Sequence, residues 1–309
     1  TTQGSSNVAH SINWTSYYLG GQCYRYLFTK DEKVREHCNQ IFEALYRCQL
    51  VTGVRGLQAR GYLIGHGESY EEREGSERSN DWYQEAGEYS NYRWRGSPSH
   101  HNYSGSIYAF GMYYDLVAHG KWKDRCREAI DALVSYWADE PDFIIRNYDG
   151  SISTPILGLT DGKTPNTRII MAAAGLKVAH HATGKQKFAD AYEKLVTQYS
   201  FRTWRGNIGG SDSFDDTDHV LQHLENLFRI EKDPELIEFY RHVADTLWKA
   251  HQYDRQSLFN YIYYGLFPER KENVAESKPI IAVTMGDPAG IGPEIVLKSL
   301  SIMDGQLLY

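Results

Sequence analysis

The 309-residue sequence lacks any apolar run that approaches the roughly 20 residues of a membrane-spanning helix. Its opening segment, TTQGSSNVAH, also lacks the charged stretch and the following apolar stretch of a signal peptide. We therefore expect a soluble chain with no membrane partner. It would belong to the cytoplasm, or to the periplasm or the cell exterior if a signal peptide was removed, and the sequence leaves both this choice and the oligomeric state open.

Positive charge is neither abundant nor clustered in this chain. The sequence has 33 Lys and Arg residues against 40 Asp and Glu residues, a formal net charge of -7 at pH 7, and no basic run. A nucleic-acid-binding surface requires positive side chains clustered on one face. The charge pattern therefore argues against nucleic acid as a partner.

Cysteine is scarce, and its spacing fits no redox or metal motif. None of the cysteines forms a C-x-x-C pair of the kind found in zinc ribbons and thioredoxin-like sites; they are Cys23, Cys38, Cys48 and Cys126. Because they lie inside helical patterns, we predict that they are buried as small apolar side chains. We predict neither a bound metal nor a cofactor.

Aromatic residues, in contrast, are plentiful. They make up 14% of the chain, with 24 Tyr and 7 Trp. Many of them must pack in the core, but flat rings with a polar end also line sugar-binding clefts. The composition therefore favours an oligosaccharide or a polysaccharide as the partner.

A junction between two helices recurs along the chain, at residues 28–38, 118–128, 181–191 and 229–239. Asp31 and Asp233 are predicted N-caps, and Pro234 suits a first helical position. Gly120 and Gly184 suit the left-handed residue just past a helix end. Each junction therefore predicts a helical hairpin.

The third hairpin has the clearest signals, with Thr164 as the predicted N-cap, Pro165 at the first helical position and Gly184 at the stop. The first helix of each pair, here called inner, is apolar or rich in small residues, and the second, called outer, is amphipathic. Strand-like alternation is scarce before residue 278. We predict an all-α fold over residues 1–272, an α/α toroid of helical hairpins with four recognisable where six complete a barrel.

In such a toroid the inner helices run parallel, so their N-terminal ends meet at one mouth. The sequence places polar, aromatic and titratable residues at all of these ends: Asn13 and Trp14; His100, His101, Asn102 and Tyr103; Asn166 and Arg168; Asp212, Asp215, Asp216 and His219. We predict Asn13 and Trp14 as substrate-binding residues. The mouth is the predicted functional site.

The segment GGSDSFDDTDH opens the fourth inner helix and has two interpretations. Helical periodicity places Asp215, Asp216 and His219 on one stripe, which suits catalytic acid and base roles, with Asp212 predicted to bind substrate. Aspartates are also favoured N-caps, which is a purely structural role. His219 and His223 have the spacing of metal ligands, but the glutamate of an H-E-x-x-H motif is absent.

The segment RGSPSHHNYSGS precedes the second inner helix. His101 and Tyr103 are predicted catalytic residues because imidazole and phenol groups can take up or donate protons, and His100 and Asn102 are predicted to bind substrate. A loop that only caps the next helix through Ser104 would look similar.

Two arginines are candidates for holding an acidic substrate, because a guanidinium binds a carboxylate through two parallel hydrogen bonds. Arg60 lies in a glycine-punctuated loop, and Arg168 lies in the first turn of a helix, where a cation needs a partner. His180 and His181 fall in the last turn of the third inner helix, where we expect a structural role.

A family resemblance is carried by the stretches NWTSYYLGGQCYRYLFTKDEKVREHCNQIFEALYRCQLVTGVRGLQARGY, GSIYAFGMYYDLVAHG, DHVLQHLENLFRIEKDPEL and SLFNYIYYG. They resemble a family of bacterial α/α-toroid proteins that is similar to six-hairpin glycosidases. The resemblance covers residues 10–265 and implies the toroid fold and a carbohydrate-related role. Members of that family have an Asp/Ser-rich segment where this chain has SPSHHNYSGS, so no catalytic carboxylate is implied in that loop.

The end of the chain has a different character. KPIIAVTMGDPAGIGPEIVLKSL, at residues 278–300, resembles the N-terminal strand, loop and helix of 4-hydroxythreonine-4-phosphate dehydrogenases. Only the opening of that family is present, without its metal-binding histidines, so we predict no dehydrogenase activity. We interpret residues 273–309 as a charged junction and a truncated fragment, not an independent domain.

The leading hypothesis is a carbohydrate-active enzyme that cleaves a uronate-containing glycan or oligosaccharide. In a lyase, an arginine and an asparagine would neutralise the uronate carboxylate while His101 or Tyr103 removes the neighbouring C5 proton. In a hydrolase, Asp216 and either Asp212 or Asp215 would act as acid and base. The alternative is a noncatalytic glycan-binding toroid that uses aromatic platforms, namely Trp14, Trp82, Trp94 and Tyr103.

Overall fold

The computed structural model describes residues 11–65, 81–84, 87–157, 163–208, 214–252 and 258–273, and these residues are mostly helical. The helices within these ranges are α1 Ser11–Thr29, α2 Glu32–Leu50, α3 His100–Leu116, α4 Lys121–Ala138, α5 Thr167–Thr183, α6 Gln186–Gln198, α7 Phe214–Ile230, α8 Pro234–His251 and α9 Leu258–Leu266. The predicted all-α character is confirmed. None of the described helices is both long and apolar enough to cross a bilayer.

The four predicted helical hairpins are all present, as α1 with α2, α3 with α4, α5 with α6, and α7 with α8. The two helices of each of the first three hairpins pack along each other. In the fourth, the rings of Phe228 and Tyr240 meet edge to face with their centroids 6.4 Å apart. The junction pattern in the sequence therefore identifies each hairpin correctly.

Several helix ends form as predicted. The Asp31 carboxylate accepts a hydrogen bond from the Lys33 amide at 2.8 Å, and the Asp233 carboxylate accepts one from the Glu235 amide at 2.9 Å. These bonds satisfy amide groups that have no partner within the first turn of a helix. Gly184 ends α5 in the left-handed conformation, with φ of 69°.

Two predicted helix ends are wrong. The N-cap of α5 is Asn166, whose side chain accepts a hydrogen bond from the Ile169 amide at 3.0 Å, so Thr164 and Pro165 precede the cap. Asn caps a helix as well as Thr does, and the bond it forms decides the start. Gly120 has φ of 51° but is the N-cap of α4, because α3 has already ended at Leu116.

Two small antiparallel sheets, which sequence reasoning missed, precede inner helices. The first has the strand order β1-β3-β2, from β1 Gly61–Ile64, β2 Trp82–Gln84 and β3 Tyr92–Arg95. Its register pairs both Tyr62 and Tyr83 with Trp94. The second sheet pairs β4 Ile144–Arg146 with β5 Ile152–Pro155. These strands have three or four residues each, too few for an alternating pattern to be recognised.

The inner helices form the centre of the described structure. Helix α3 contacts α1, α5 and α7, and α5 also contacts α7. Small residues permit this approach: a Cβ added at Gly111 of α3 would lie 2.7 Å from the Asn226 side chain of α7. The predicted enclosure of α3 and α5 is confirmed, whereas α1 keeps Trp14, Tyr24 and Phe28 exposed.

The C-terminal ends of three inner helices are joined by an ionic cluster. Asp115 of α3 lies 2.8 Å from His181 Nε2 of α5 and 2.8 Å from Arg229 Nε of α7. Burial alone would raise the pKa of Asp115, but the His181 hydrogen bond and the Arg229 charge lower it below its usual value. The predicted structural role of His181 is confirmed. The four cysteines are buried and unpaired by disulfides, also as predicted.

The chain divides into two compact units, Thr1–Leu247 and Trp248–Tyr309. The boundary lies within α8, upstream of the boundary that we predicted between residues 272 and 273. In the second unit, Trp248 stacks on Tyr263 with centroids 4.6 Å apart, and its indole donates a hydrogen bond to Asn260 at 2.9 Å. The dehydrogenase-like segment at residues 278–300 lies outside the described residues.

Candidate functional site

The N-terminal ends of α1, α3 and α7 place polar side chains together, as the sequence predicted. His219, in the second turn of α7, is almost fully buried, and its Nε2 lies 3.5 Å from Nδ2 of Asn13 in α1. Its Nδ1 lies 3.3 Å from the hydroxyl of Tyr17. Both ring nitrogens of His219 therefore face groups of α1.

Three imidazoles form a row at this position. The ring of His101 stacks on that of His219 with centroids 4.8 Å apart and an interplanar angle of 23°. The ring of His101 also meets that of His100, with centroids 4.1 Å apart and an interplanar angle of 52°. The three rings therefore form a continuous line of contacts at the N-terminal ends of α3 and α7.

Tyr17 is a site residue that sequence reasoning missed. It lies one helical turn beyond Asn13, so both side chains belong to the same face of α1. That spacing is the sequence signal that could have identified it. Its ring also meets the edge of Trp14 at 5.5 Å, and Trp14 is 62% exposed. The predicted residue Trp14 thus offers an open aromatic face beside the polar cluster.

His223, one turn after His219, has a structural role. Its Nε2 lies 2.6 Å from the Ser104 hydroxyl of α3, and the side chain is fully buried. Burial lowers the pKa of His223 to about 3, so the ring is neutral at physiological pH. Among the residues that the structure describes, no group of three or more His, Cys, Asp or Glu side chains is arranged to hold a metal ion.

The predicted catalytic role of Tyr103 is wrong. Its side chain is fully buried, its hydroxyl donates to the Gly56 carbonyl at 3.1 Å, and it accepts from the Gln58 amide at 3.3 Å. Burial raises the pKa of Tyr103 well above its usual value, which opposes a role as a base. Tyr103 instead anchors the loop after α2 to α3.

Asn102 also has a structural role. Its side-chain oxygen accepts hydrogen bonds from the amide and the hydroxyl of Ser99, at 2.9 and 3.1 Å, in a capping box at the start of α3. The side chain is fully buried. The predicted substrate-binding role is therefore corrected to helix capping. In this segment only the two histidines remain as candidate functional residues.

The two predicted substrate-binding arginines hold the segments that lead into inner helices. Arg60 donates to the Ser97 carbonyl at 3.2 Å, just before α3, and Arg168 donates to the Pro155 carbonyl at 3.3 Å, at the end of β5. The Ser153 hydroxyl donates to the Pro98 carbonyl and joins the two segments. Both guanidinium groups are half-buried near this end of the helices, and their predicted binding of a carboxylate stays a prediction.

The acidic segment is described only in part. Helix α7 begins at Phe214, which confirms that GGSDSFDDTDH opens the fourth inner helix. Asp212 lies outside the described residues, and so do the side chains of Asp215 and Asp216. The choice between their capping and catalytic interpretations therefore stays open.

The proposed aromatic platforms differ in their exposure. Trp94 is fully buried and stacks on Tyr83 with centroids 4.7 Å apart, and Tyr103 is buried as well. These two predicted platforms are wrong. Trp82 is partly exposed, and the Arg93 guanidinium lies 5.6 Å from its ring. Trp14 is the most exposed of the set.

Comparisons of this chain with protein-family models, with curated proteins and with solved structures find no match. The function must therefore follow from the chemistry of the side chains. In the described part of the N-terminal end, that chemistry is concentrated in Tyr17, His101 and His219, with Asn13 and Trp14 beside them.

Proposed function

We propose that the chain is a carbohydrate-active enzyme that cleaves a uronate-containing glycan or oligosaccharide by β-elimination. In this proposal the hairpins form an α/α toroid, and the cluster of Tyr17, His101 and His219 lies at one mouth. The observation that carries the proposal is the contact of His219 with the Tyr17 hydroxyl on one side and with the His101 ring on the other.

The elimination needs a base, an acid and a group that stabilises the carboxylate. His101 takes the proton from C5 of the uronate, the C4–C5 double bond forms, and the C4–O bond breaks. The Tyr17 hydroxyl gives its proton to the departing oxygen. After the product leaves, His101 gives its proton to solvent, and Tyr17 regains a proton from solvent through its hydrogen-bonded neighbour His219.

The C5 proton becomes acidic only when the adjacent carboxylate is neutralised, because the electron pair then delocalises into it. The Asn13 side-chain amide lies 3.5 Å from His219 and supplies a hydrogen-bond donor for this role. Arg60 and Arg168 are the cations proposed to complete this role. Trp14 offers its exposed ring to the apolar face of a neighbouring sugar.

Ultraviolet absorbance tests this proposal, because elimination creates a conjugated enol acid. We expect absorbance to rise with time on uronate polysaccharides. We expect His101→Ala and Tyr17→Phe each to reduce kcat by about 10²- to 10⁴-fold, as for the loss of an acid or base. The matched control is His180→Ala, which removes a half-buried imidazole at the opposite end of an inner helix and should leave the rate unchanged.

Other results would contradict the elimination. Falling absorbance on preformed unsaturated oligosaccharides would indicate hydrolysis or hydration, with Asp216 and a second carboxylate as acid and base. An inverting hydrolase would require about 6.5–9.5 Å between those carboxylates. No change on either substrate set would favour a neutral-sugar hydrolase or a binding protein.

A noncatalytic glycan-binding protein is the second candidate, and the exposed Trp14 ring favours it. In that case Trp14→Ala would weaken glycan binding, while no glycan would be turned over by the unsubstituted chain. His101→Ala separates the two candidates. Loss of turnover with retained binding supports the enzyme, and the absence of turnover in every form supports the binding protein.

A further inference from the structure

A second polar contact joins α1 to α7, beyond the contact between Tyr17 and His219. The Tyr24 hydroxyl donates to the Glu225 carboxylate at 2.9 Å. The Tyr108 hydroxyl, from α3, lies 3.5 Å from the same carboxylate oxygen. Burial is the largest cause of a raised pKa for Glu225, and the two tyrosine hydroxyls oppose it. No part of the proposed elimination uses this group.

Two adjacent glycines of α1 lie between the two contacts. A Cβ at Gly20 would overlap the Tyr108 hydroxyl, so packing requires that glycine. A Cβ at Gly21 would have nothing within 4 Å, and the position is exposed. Glycine in the middle of a helix reduces its stability, and no described neighbour accounts for Gly21. The absence of a side chain at Gly21 leaves an open space on the surface of α1 between Tyr17 and Tyr24.

We infer that this opening is a sugar-binding trough, and that it takes a neutral sugar adjoining the uronate that is cleaved. The α1–α7 trough is formed by Tyr17, Gly21, Tyr24, Tyr108 and Glu225. The inference rests on the proposed function, and it narrows the substrate to mixed glycans in which uronate and neutral sugars alternate.

The chemistry of the trough selects this ligand. The exposed Tyr24 offers an apolar ring face, and the Tyr24 hydroxyl and the Glu225 carboxylate can exchange hydrogen bonds with sugar hydroxyls. A uronate carboxylate would be repelled by Glu225, so an uncharged sugar is favoured there. Tyr24 lies seven positions after Tyr17, which corresponds to about 10 Å along the helix axis. This distance leaves room for one sugar ring beside the uronate ring that is bound at His219.

Calorimetric binding to the His101→Ala form of the full chain, which is expected to bind without cleaving, tests this inference. The two probes are hyaluronan and homogalacturonan oligosaccharides of equal length. The first alternates glucuronate with a neutral N-acetylhexosamine, and the second contains only uronate. We expect the hyaluronan oligosaccharide to bind at least about tenfold more tightly, a difference typical of one hydrogen bond to a charged group.

Two substitutions in the trough sharpen the test. Gly21→Leu should reduce hyaluronan-oligosaccharide binding by about tenfold or more because the side chain fills the opening. Gly265→Leu is the matched control, since Gly265 is also an exposed helical glycine with nothing within 4 Å of an added Cβ, and binding should not change. Glu225→Gln should reduce the difference in binding affinity between the two probes, because it removes the charge that disfavours the homogalacturonan oligosaccharide.

The failure of this inference is distinguishable from failure of the proposed function. If the unsubstituted chain has elimination activity but a folded Gly21→Leu form binds the oligosaccharide as well as before, the inference of a trough is wrong. The proposed function is then unaffected. Equal binding of the two probes overturns the assignment of a neutral sugar. If the chain neither binds nor cleaves any uronate glycan, the proposed function fails and the trough fails with it.

Discussion

At the scale of single residues, burial separates side chains that have the same chemical type. His101 and His223 are both histidines of inner helices, but His101 is half-buried in a row of rings whereas His223 is fully buried against Ser104. Tyr17 and Tyr103 differ in the same way. A partly exposed group can exchange protons with a substrate, and a fully buried group that bonds a neighbouring helix or loop stabilises the fold.

Tyr103→Phe tests this distinction. The change removes a hydroxyl that bonds the Gly56 carbonyl and the Gln58 amide, leaving both without that partner. We expect the free energy of unfolding to fall by about 1–3 kcal/mol, as for a buried group left unsatisfied. Urea denaturation measures this loss. A large fall in kcat in a form of unchanged stability would contradict the structural assignment.

At the scale of secondary-structure elements, close approach between helices depends on glycines whose neighbours leave no room for a side chain. A Cβ at Gly175 would lie 2.9 Å from Trp137 and 3.0 Å from Ile107, both of which are buried. At Gly21 nothing interferes. A side chain added at Gly175 would therefore clash with its neighbours, whereas one added at Gly21 would not.

Gly175→Ala should lower the free energy of unfolding by about 1–3 kcal/mol because the added methyl overfills the core between α3, α4 and α5. Gly21→Ala is the matched control and should raise it by about 0.5–1 kcal/mol through the gain in helix propensity. Thermal and urea denaturation measure both changes. Equal effects of the two substitutions would contradict the packing argument.

The ionic cluster of Asp115, His181 and Arg229 fastens three inner helices at their C-terminal ends. The pKa of Asp115 is lowered in the folded state, so the carboxylate binds a proton more readily when the chain is unfolded. Its contribution is present above the unfolded pKa of about 3.9 and is lost as the pH falls through the folded pKa.

Asp115→Asn should therefore lower the free energy of unfolding by about 3 kcal/mol at neutral pH, where Arg229 loses its carboxylate partner. The difference in the free energy of unfolding between the Asp115→Asn form and the unsubstituted chain should become smaller at acidic pH. Urea denaturation at neutral and acidic pH checks this expectation, with Asp190→Asn as the control because Asp190 is exposed. A difference that does not depend on pH would exclude the charge of Asp115 as its source.

At the scale of the whole molecule, the chain divides into two compact units, and we predict that residues 273–309 are an appended fragment. We predict that residues 278–300 are a dehydrogenase-like fragment without dehydrogenase activity. We expect a chain that ends at residue 273 to melt within about 2 °C of the full chain and to show the same glycan activity. Circular dichroism melting and the ultraviolet assay measure these properties.

A fall of several degrees in the shortened chain would show that the segment contributes to folding. Reduction of a nicotinamide cofactor by the full chain, with 4-hydroxythreonine phosphate as the substrate, would overturn the expectation that the segment is inactive. Either result would also change the domain division, because residues 273–309 would then act as more than an appended fragment.

Most of the fold was predictable because helix signals are local. The amphipathic spacing of α2, the Asp31 cap and the Gly184 stop each involve residues within a few positions of one another. The short strands were missed because strands of three or four residues carry too little pattern. At α5 the sequence predicted Thr164 as the cap, but the structure places the capping hydrogen bond on the Asn166 side chain.

The sequence by itself determined the helical hairpins and the concentration of polar residues at the N-terminal ends of the inner helices, because both follow from short-range periodicity and capping. Only the tertiary structure decided which of those residues meet. Tyr17 and His219 are 202 positions apart, and Tyr24 and Glu225 are 201 apart. Contacts at such separations depend on how helices pack, and packing also buried Tyr103 and Trp94, two residues whose type alone suggested function.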